Sequence, residues 1–280
     1  MAKKIDIYEE ITNKIIASME KGVLPWRRPW NADISLPRRS NGVAYRGVNV
    51  VLLWLAEVTN NYQHHMFMTY AQARAMNAHI RKGEHGHPII KVGTFVVDDE
   101  EDGEEKEKKY MKQYTVFNVE QIEGLPEEPV IEQKSIKDED RYEKLNQLVS
   151  RLGVKIHVGS YRACYVNNDD IISMPDISTF ETPDAYFTTL FHEIGHWTGH
   201  KSRLNRVFGQ KKTDAAYAFE ELVAELTSCF VCANFGIARV DATASYLDSW
   251  LVALKRDKKF FTRACNYAQN AADYILNHAK

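Results

Sequence analysis

The run F-H-E-I-G-H-W at residues 191–197 constrains the fold of this chain more than any other feature. His192 and His196 are four residues apart, so on a helix they share one face, about one turn apart. Two imidazoles at that spacing can bind one zinc ion, and Glu193 beside the first can act as general base toward a water molecule there. The run therefore predicts a metal-binding helix and a zinc-dependent hydrolase site with Glu193 as its catalytic residue.

A hydrolytic zinc site also needs a third protein ligand and one open position. The pattern that continues to a third histidine fails, because Gly199 is in place but Ser202 occupies the histidine position. The run A-F-E-E-L-V-A-E-L supplies better candidates, since Glu221 and Glu225 are four apart on one helix face. We assign Glu221 to the metal and Glu225 to orienting a ligating histidine, with Glu220 as the main alternative ligand. The expected cofactor is one Zn²⁺ per chain.

Two further features near this motif, a C-x-x-C pair and a short strand, can each be interpreted as functional or as part of the core. Cys229 and Cys232 form C-x-x-C, but no second pair completes a zinc ribbon, so we expect small core residues in an apolar helix. The segment D-I-I-S-M-P-D at residues 170–176 fits an edge strand, which offers unpaired backbone groups to an extended peptide. An ordinary core strand is the alternative for that segment.

A second group of candidate functional residues, mainly aromatic and basic side chains, lies near the N-terminus. Guanidinium groups bind phosphates, while Trp and Tyr rings stack on unpaired bases, whose faces duplex DNA hides. The mixture indicates single-stranded DNA as a partner; the alternative is that the aromatic residues anchor the core and the arginines are solvated, and both can hold. The candidate DNA-binding residues are Trp26, Arg27, Arg28, Trp30, Arg38, Arg39, Tyr45, Arg46, Asn49 and Lys82.

The charge distribution agrees with a polyanionic partner for the N-terminal part. Residues 1–97 hold 13 Lys or Arg against 7 Asp or Glu. Residues 98–109 hold 8 acidic and 3 basic side chains, a run expected to form a solvated hairpin tip or loop. The excess of positive charge in residues 1–97 is suited to attracting the phosphates of a nucleic acid.

The chain as a whole predicts two domains without a membrane span. A length of 280 residues suits two cores, and no apolar run reaches the roughly 18 residues of a membrane helix. The start M-A-K-K-I-D-I-Y-E-E lacks the apolar region of a signal peptide, so we expect a cytoplasmic protein with reduced cysteines.

Hydrophobic periodicity predicts an α+β fold with three parts: an N-terminal domain of mixed helix and hairpin at 1–125, a linker at 126–138, and a mostly helical domain with a small sheet at 139–280. A capping-box pattern at Thr69 and Gln72 opens one short helix. The predicted hairpin strands are 88–97 and 110–119, and short strands are expected near 154–158, 161–166 and 170–174. Further helices are expected near 5–21, 48–58, 139–152, 183–199, 214–236 and 241–277, the last one broken.

These motifs together resemble a known family. The opening I-Y-E-E-I-T-N-K-I-I-A-S-M-E-K-G-V-L-P-W-R-R-P-W, then Y-R-G-V-N-V-V-L-L-W and R-K-G-E-H-G, look like the N-terminal domain of ArdC-type antirestriction proteins. F-H-E-I-G-H-W-T-G-H and A-F-E-E-L-V-A-E-L look like the zincin-type metallopeptidase domain of the same family. The resemblance implies a single-stranded-DNA-binding domain fused to a metallopeptidase-like domain, carriage on mobile elements, and protection of incoming DNA from host restriction.

Three functions follow from these expectations. The leading one is a DNA-tethered metallopeptidase that acts on a protein substrate the sequence does not identify. The second is a single-stranded-DNA shield whose metal domain is structural or inactive. The third, a metal-dependent nuclease, is disfavoured because nucleases usually cluster carboxylates around magnesium or paired metals, whereas this site is rich in histidine.

Overall fold

A computed structural model describes residues 6–26, 35–98, 105–126, 138–209, 215–237 and 246–278. The helices are α1 (Ile7–Met19), α2 (Val48–Asn60), α3 (Tyr70–Ala75), α4 (Asp138–Leu152), α5 (Pro183–Trp197), α6 (Ala215–Ala233), α7 (Leu247–Arg256) and α8 (Phe260–Asn277). The strands are β1 (Arg38–Arg39), β2 (Met66–Met68), β3 (His79–Ile80), β4 (His87–Asp98), β5 (Glu105–Asn118), β6 (Ile122–Glu123), β7 (Lys155–Val158), β8 (Cys164–Val166) and β9 (Ile171–Met174).

The chain forms two compact units. The hairpin unit is Pro37–Pro129, and the helical unit combines Met1–Leu36 with Val130–Lys280. In this division residues 1–36 are grouped with the C-terminal part of the chain, whereas the predicted N-terminal domain includes them; the predicted domain bounds stay a prediction. The predicted linker at 126–138 falls on residues outside the described ranges except at its two ends, so it stays a prediction.

Two element boundaries were predicted from local sequence signals, the start of α3 and the break between α7 and α8. The predicted capping box is confirmed at α3, where the Gln72 backbone N–H donates to Thr69 Oγ1 at 3.2 Å and the Thr69 N–H donates to Gln72 Oε1 at 2.8 Å. The predicted break in the last helix is also confirmed. Asp257, with extended backbone angles, ends α7. The α+β fold class is therefore confirmed, with small sheets among packed helices.

The hairpin unit is organised by one long antiparallel pair. Its main sheet has the order β1-β2-β5-β4, and β4 pairs with β5 without interruption from His87↔Val116 to Asp98↔Glu105. The predicted hairpin is thus confirmed, but the acidic run is only partly a tip or loop as expected, because Asp98 and residues 105–109 belong to the paired strands; residues 99–104 lie outside the described ranges. A small core of Met66, Met68, Ala73, Ala78 and Ile122 lies beside the sheet.

The sheet of the helical unit corrects one expectation. Its order is β7-β9-β8, with β9 parallel to β7 and antiparallel to β8. The prediction that residues 170–176 form an edge strand is therefore wrong, because β9 is central. Alternating apolar residues fit a half-buried strand at either position, and only the strand order decides which one is the edge. β8 is an edge strand of this sheet.

The N-terminal helix is held by the C-terminal helices within the helical unit. Thr12 Oγ1 donates to the Lys258 carbonyl at 2.8 Å, and Trp26, 4% exposed, packs against Trp250 and Phe261 at ring-centroid distances of 6.1 and 5.7 Å. Such aromatic contacts bury large apolar area. None of the helices in the described ranges combines the length and apolar character needed to cross a bilayer.

We expect Trp26→Ala to lower the free energy of unfolding by about 3–5 kcal/mol, because it removes a fully packed indole from the core. Urea unfolding followed by circular dichroism measures this change. Tyr161→Ala is the matched control, since that ring is 89% exposed and its loss should change stability by no more than about 0.5 kcal/mol. Unchanged stability in Trp26→Ala would show that this ring is not a core anchor in solution.

Candidate functional site

The two histidines of the metal motif lie on α5 with their ring nitrogens facing each other. The helix begins at Thr182, whose side chain accepts from the Ala185 N–H at 3.1 Å, and Pro183 occupies its first turn. His192 Nε2 and His196 Nε2 are 3.2 Å apart. Two nitrogens bound to one tetrahedral ion at about 2.0–2.1 Å would be about 3.3 Å apart. The pair therefore fits a shared metal ion without rearrangement.

Glu221 on α6 brings a third donor to the same point. Its carboxylate oxygens lie 3.5 Å from His192 Nε2 and 3.7 Å from His196 Nε2. One donor atom from each of the three residues lies within 4.8 Å of the others. Imidazole and carboxylate together suit zinc and other divalent transition metals. The assignment of Glu221 as ligand fits this geometry and remains a prediction.

Gly195, between the two histidines, lets α6 approach α5 this closely. A Cβ atom at this position would lie 3.0 Å from Ala224 Cα and 3.2 Å from the Ala224 carbonyl oxygen. Any side chain here would press on the backbone of α6 and move its carboxylates relative to α5. Gly195 therefore contributes to the metal site by allowing the two helices to approach each other, although it supplies no ligand.

The outer nitrogens of the two rings each face a different carboxylate. His192 Nδ1 lies 3.6 Å from Glu225 Oε2, and His196 Nδ1 lies 3.2 Å from Glu220 Oε1. Carboxylates in these positions fix the tautomer and orientation of a ligating imidazole. Glu220, the alternative ligand in the sequence analysis, thus contacts the far side of His196 rather than the nitrogen that faces Glu221.

Arg206 holds Glu220 in that position. Arg206 is buried and donates to Glu220 Oε2 at 2.9 Å and Oε1 at 2.7 Å, and also to Thr198 Oγ1 at 2.9 Å and the Gly195 carbonyl at 2.6 Å. Burial by itself raises the pKa of Glu220, but the bonds from Arg206 and His196 outweigh it and hold that pKa below its ordinary value. Glu220 is therefore an ionised, hydrogen-bonded neighbour of the site.

Glu193 lies in the same pocket and is anchored by the edge strand. Its Oε2 accepts from the backbone N–H of Tyr165 on β8 at 2.8 Å, and the residue is 8% exposed. Tyr165 in turn donates from its hydroxyl to Asp170 at 2.8 Å, and Asp170 pairs with Arg203. The carboxylate proposed as general base thus has a defined orientation beside the histidines.

The pocket around these groups has a volume of about 530 Å³, and besides Tyr165 two further phenols, Tyr217 and Tyr246, line its wall. Tyr217 and Tyr246 have their hydroxyl oxygens 3.2 Å apart. Burial raises the pKa of both, and nearby carboxylates, Glu221 among them, raise it further. Both tyrosines therefore remain neutral donors at neutral pH.

Sequence reasoning missed four residues of this site. The loop residue Arg206 and the strand residue Tyr165 carry no motif, and nothing in their local sequence connects them with the histidines. Tyr217 precedes Glu221 by one helical turn, which was a signal available in the sequence. Tyr246 follows residues outside the described ranges, and its contact with Tyr217 is visible only in three dimensions.

Three of the predicted DNA-binding residues have packing roles in the structure. Trp26 lies in the core of the helical unit, so the alternative of a core anchor applies to it. Tyr45 is 4% exposed, and burial raises its pKa to about 12 despite the nearby Arg39. Asn49 bonds both to the Ile90 N–H at 2.8 Å and to the Ile90 carbonyl at 2.7 Å, which closes the edge of β4.

The other predicted DNA-binding residues divide into three groups. Arg39, Arg46 and Lys82 are exposed on the hairpin unit, with the Arg39 guanidinium 5.4 Å from the centre of the Tyr45 ring. Arg38 is partly buried and donates to the Gly42 carbonyl at 3.1 Å. Arg27, Arg28 and Trp30 lie outside the described residues.

Two family profiles match the chain. Residues 143–267 match a family described as zincin-like metallopeptidase, and residues 5–117 match the N-terminal domain of the anti-restriction factor ArdC. Among curated relatives, an uncharacterized protein of Sinorhizobium fredii, y4eC, is 36% identical over 96% of this chain and 91% of its own length. Two Escherichia coli proteins named DNA primase TraC are 31% and 32% identical, and the chain spans only 27% and 20% of their lengths.

Solved structures of the antirestriction protein ArdC from plasmid R388 match the fold. They share 42% identity and cover 98% of both chains, with TM-scores of 0.83 for the metal-free form and 0.82 for the Mn(II)-bound form. The zincin-like match and the three clustered donors support a divalent-metal site in this chain.

We expect Glu221→Ala to weaken divalent-metal binding most, because it removes a donor atom. Glu220→Gln and Glu225→Gln should weaken it by about 10- to 100-fold, because they disturb only the orientation of the rings. Isothermal titration with Mn²⁺ and Zn²⁺ measures these affinities, and Glu181→Gln, an exposed acid before α5, is the control. A larger loss in Glu220→Gln than in Glu221→Ala would make Glu220 the ligand.

Proposed function

The chain belongs to the ArdC family of antirestriction proteins, and on this premise we propose that it binds single-stranded DNA and carries a zinc metallopeptidase site, protecting incoming mobile-element DNA from host restriction. The observation that carries the catalytic half is the convergence of His192, His196 and Glu221 in one pocket with Glu193. The DNA-binding half is supported by the match to the ArdC N-terminal domain and by the exposed arginines of the hairpin unit.

One Zn²⁺ per chain is the ion we propose for this site. Two imidazoles and one carboxylate leave a fourth position open, which is typical of catalytic rather than structural zinc. When bound, the ion would supply Lewis acidity, polarising a carbonyl oxygen and making a water molecule more acidic. The outer carboxylates of Glu220 and Glu225 keep both rings directed at it.

Glu193 is the proton acceptor in this proposal. Its carboxylate is fixed at one oxygen by the Tyr165 N–H, which leaves the other oxygen to take a proton from the attacking water. Tyr217 and Tyr246 are both neutral and are hydrogen-bonded to each other, so the pair has one hydroxyl proton left to donate to a carbonyl oxygen that gains negative charge. Each of these roles is performed by a side chain that lines the same pocket.

A polypeptide is the proposed substrate class, and β8 is the element that would position it. β8 borders the pocket through Cys164 and Tyr165 and is an edge of its sheet. An edge strand can pair with an extended peptide through its backbone groups. A protein substrate near bound DNA would then be cleaved in a reducing cytoplasm, which suits four cysteines that form no disulfide in the described part of the chain.

Glu193→Gln should retain metal and fold but lose hydrolysis, because it removes the general base and leaves the ligands in place. The measurement is cleavage of unfolded casein by protein loaded with Zn²⁺, with metal content determined on the same samples. Cleavage by Glu193→Gln at the wild-type rate would contradict the mechanism. If the wild-type protein binds single-stranded DNA and cleaves no protein, the shield function with a structural metal domain is the better description.

Single-stranded DNA binding by the full chain should weaken steeply with salt, because phosphate contacts release counterions. Replacing Arg27 and Arg28 by Ala should reduce the slope of log K against log salt by about 1.4, which is about 0.7 for each lost contact with a single strand. Fluorescence anisotropy with a labelled oligonucleotide measures both. Chelation of the metal is the control and should leave binding intact; an unchanged slope in the double variant would exclude these arginines.

A further inference from the structure

One face of the long hairpin carries aromatic and basic side chains together. Residues two apart on a strand point to the same side, so Tyr110, Lys112 and Tyr114 of β5 share a face. Lys91 of β4 pairs with Lys112 in the register and therefore lies on that face as well. We call the four residues Lys91, Tyr110, Lys112 and Tyr114 the hairpin face.

The aromatic rings of the hairpin face are held in defined positions. Tyr114 is 36% exposed, and the Lys112 ammonium lies 5.4 Å from the centre of its ring. Tyr110 rests against Gly93 on the neighbouring strand, where an added Cβ would lie 2.6 Å from its ring atoms. A glycine opposite an aromatic residue in a sheet leaves room for the ring to lie along the strand. The surface thus offers ordered aromatic groups beside positive charge.

The strand residues around the hairpin face carry no acidic side chain; the acidic residues of β4 and β5 are Asp98, Glu105 and Glu107, toward the far end of the hairpin. Lys91 and Lys112 are both exposed and directly opposite each other, an arrangement that destabilises an antiparallel pair. Residues 87–97 and 110–117 contain no Asp or Glu. In the part of the chain that the structure describes, neither lysine pairs with a carboxylate. Two facing lysines of this kind are suited to an anionic ligand.

We propose that the hairpin face is a contact surface for single-stranded nucleic acid, with Lys91 and Lys112 binding phosphates and the tyrosines stacking on bases. The combination of cations with accessible rings is the chemistry of single-strand binding, whereas duplex DNA hides the faces of its bases. This inference rests on the proposed function, because it assigns part of the single-strand binding to named residues. It also supplies the stacking groups that the buried Trp26 and Tyr45 do not offer.

The test uses the full chain and a labelled oligothymidylate of about 16 nucleotides, a length within the range that single-strand-binding modules occupy. Tyr114→Ala should weaken binding about 5- to 150-fold, the loss of one stacked base, while Tyr114→Phe keeps the ring and the affinity. Lys91→Gln combined with Lys112→Gln should reduce the salt slope by about 1.4. Tyr161→Ala is the matched control, since that exposed tyrosine also has an arginine, Arg162, 5.7 Å from its ring centre but belongs to the helical unit.

The outcomes separate this inference from the proposed function. Wild-type binding that survives unchanged in Tyr114→Ala and in the double lysine variant overturns the hairpin face and leaves single-strand binding standing. No binding by the wild-type protein overturns both. A loss in Tyr114→Ala that is equal for duplex and single strand contradicts stacking. Urea unfolding of each variant confirms that the fold is retained, which is expected because the changed side chains are exposed.

Discussion

The close contact between α5 and α6 at Gly195 is the constraint on which the functional site depends. Backbone atoms of the two helices meet there with no side chain between them, so the residues of α6 within one turn of Ala224 must lie beside the histidines of α5. Three acidic residues of α6 occupy these places. Glu221 faces both inner ring nitrogens, and Glu225 and Glu220 lie at the outer nitrogens. A motif of two histidines becomes a metal site only through this approach of a second helix.

Burying so many carboxylates requires compensation, and each carboxylate obtains it differently. Glu220 is neutralised by the buried Arg206, while Glu221 faces two imidazoles. Burial raises the pKa of Glu221, and its contacts with His192 and His196 bring that pKa below its ordinary value. A buried ion pair adds little net stability but is costly to break. The network therefore serves to position the rings more than to stabilise the fold.

Structural features that depend on residues close together in the sequence were predicted well, whereas features that depend on distant residues were not. Helical periodicity and capping chemistry located the helices, and the i, i+4 spacing placed the histidines on one face. The burial of Trp26, Tyr45 and Asn49 could not be predicted from the sequence. Whether a ring or amide in a polar loop is buried depends on partners that lie elsewhere in the chain. Trp26 packs on Trp250, and Asn49 bonds to Ile90. The order of three short strands was likewise undetermined, since alternation does not distinguish a central strand from an edge.

The packing of α1 has a consequence for synthesis on the ribosome. Thr12 bonds to Lys258, 246 residues later in the chain, so α1 can make this contact only when α7 and the residues that follow it have been made. At about 5–20 residues per second this delay is roughly 12 to 50 s. The hairpin unit is continuous in sequence and emerges completely within that interval. During translation, therefore, it can complete its fold while the amphipathic N-terminal helix still waits for its partners, a period in which that helix is open to chaperones.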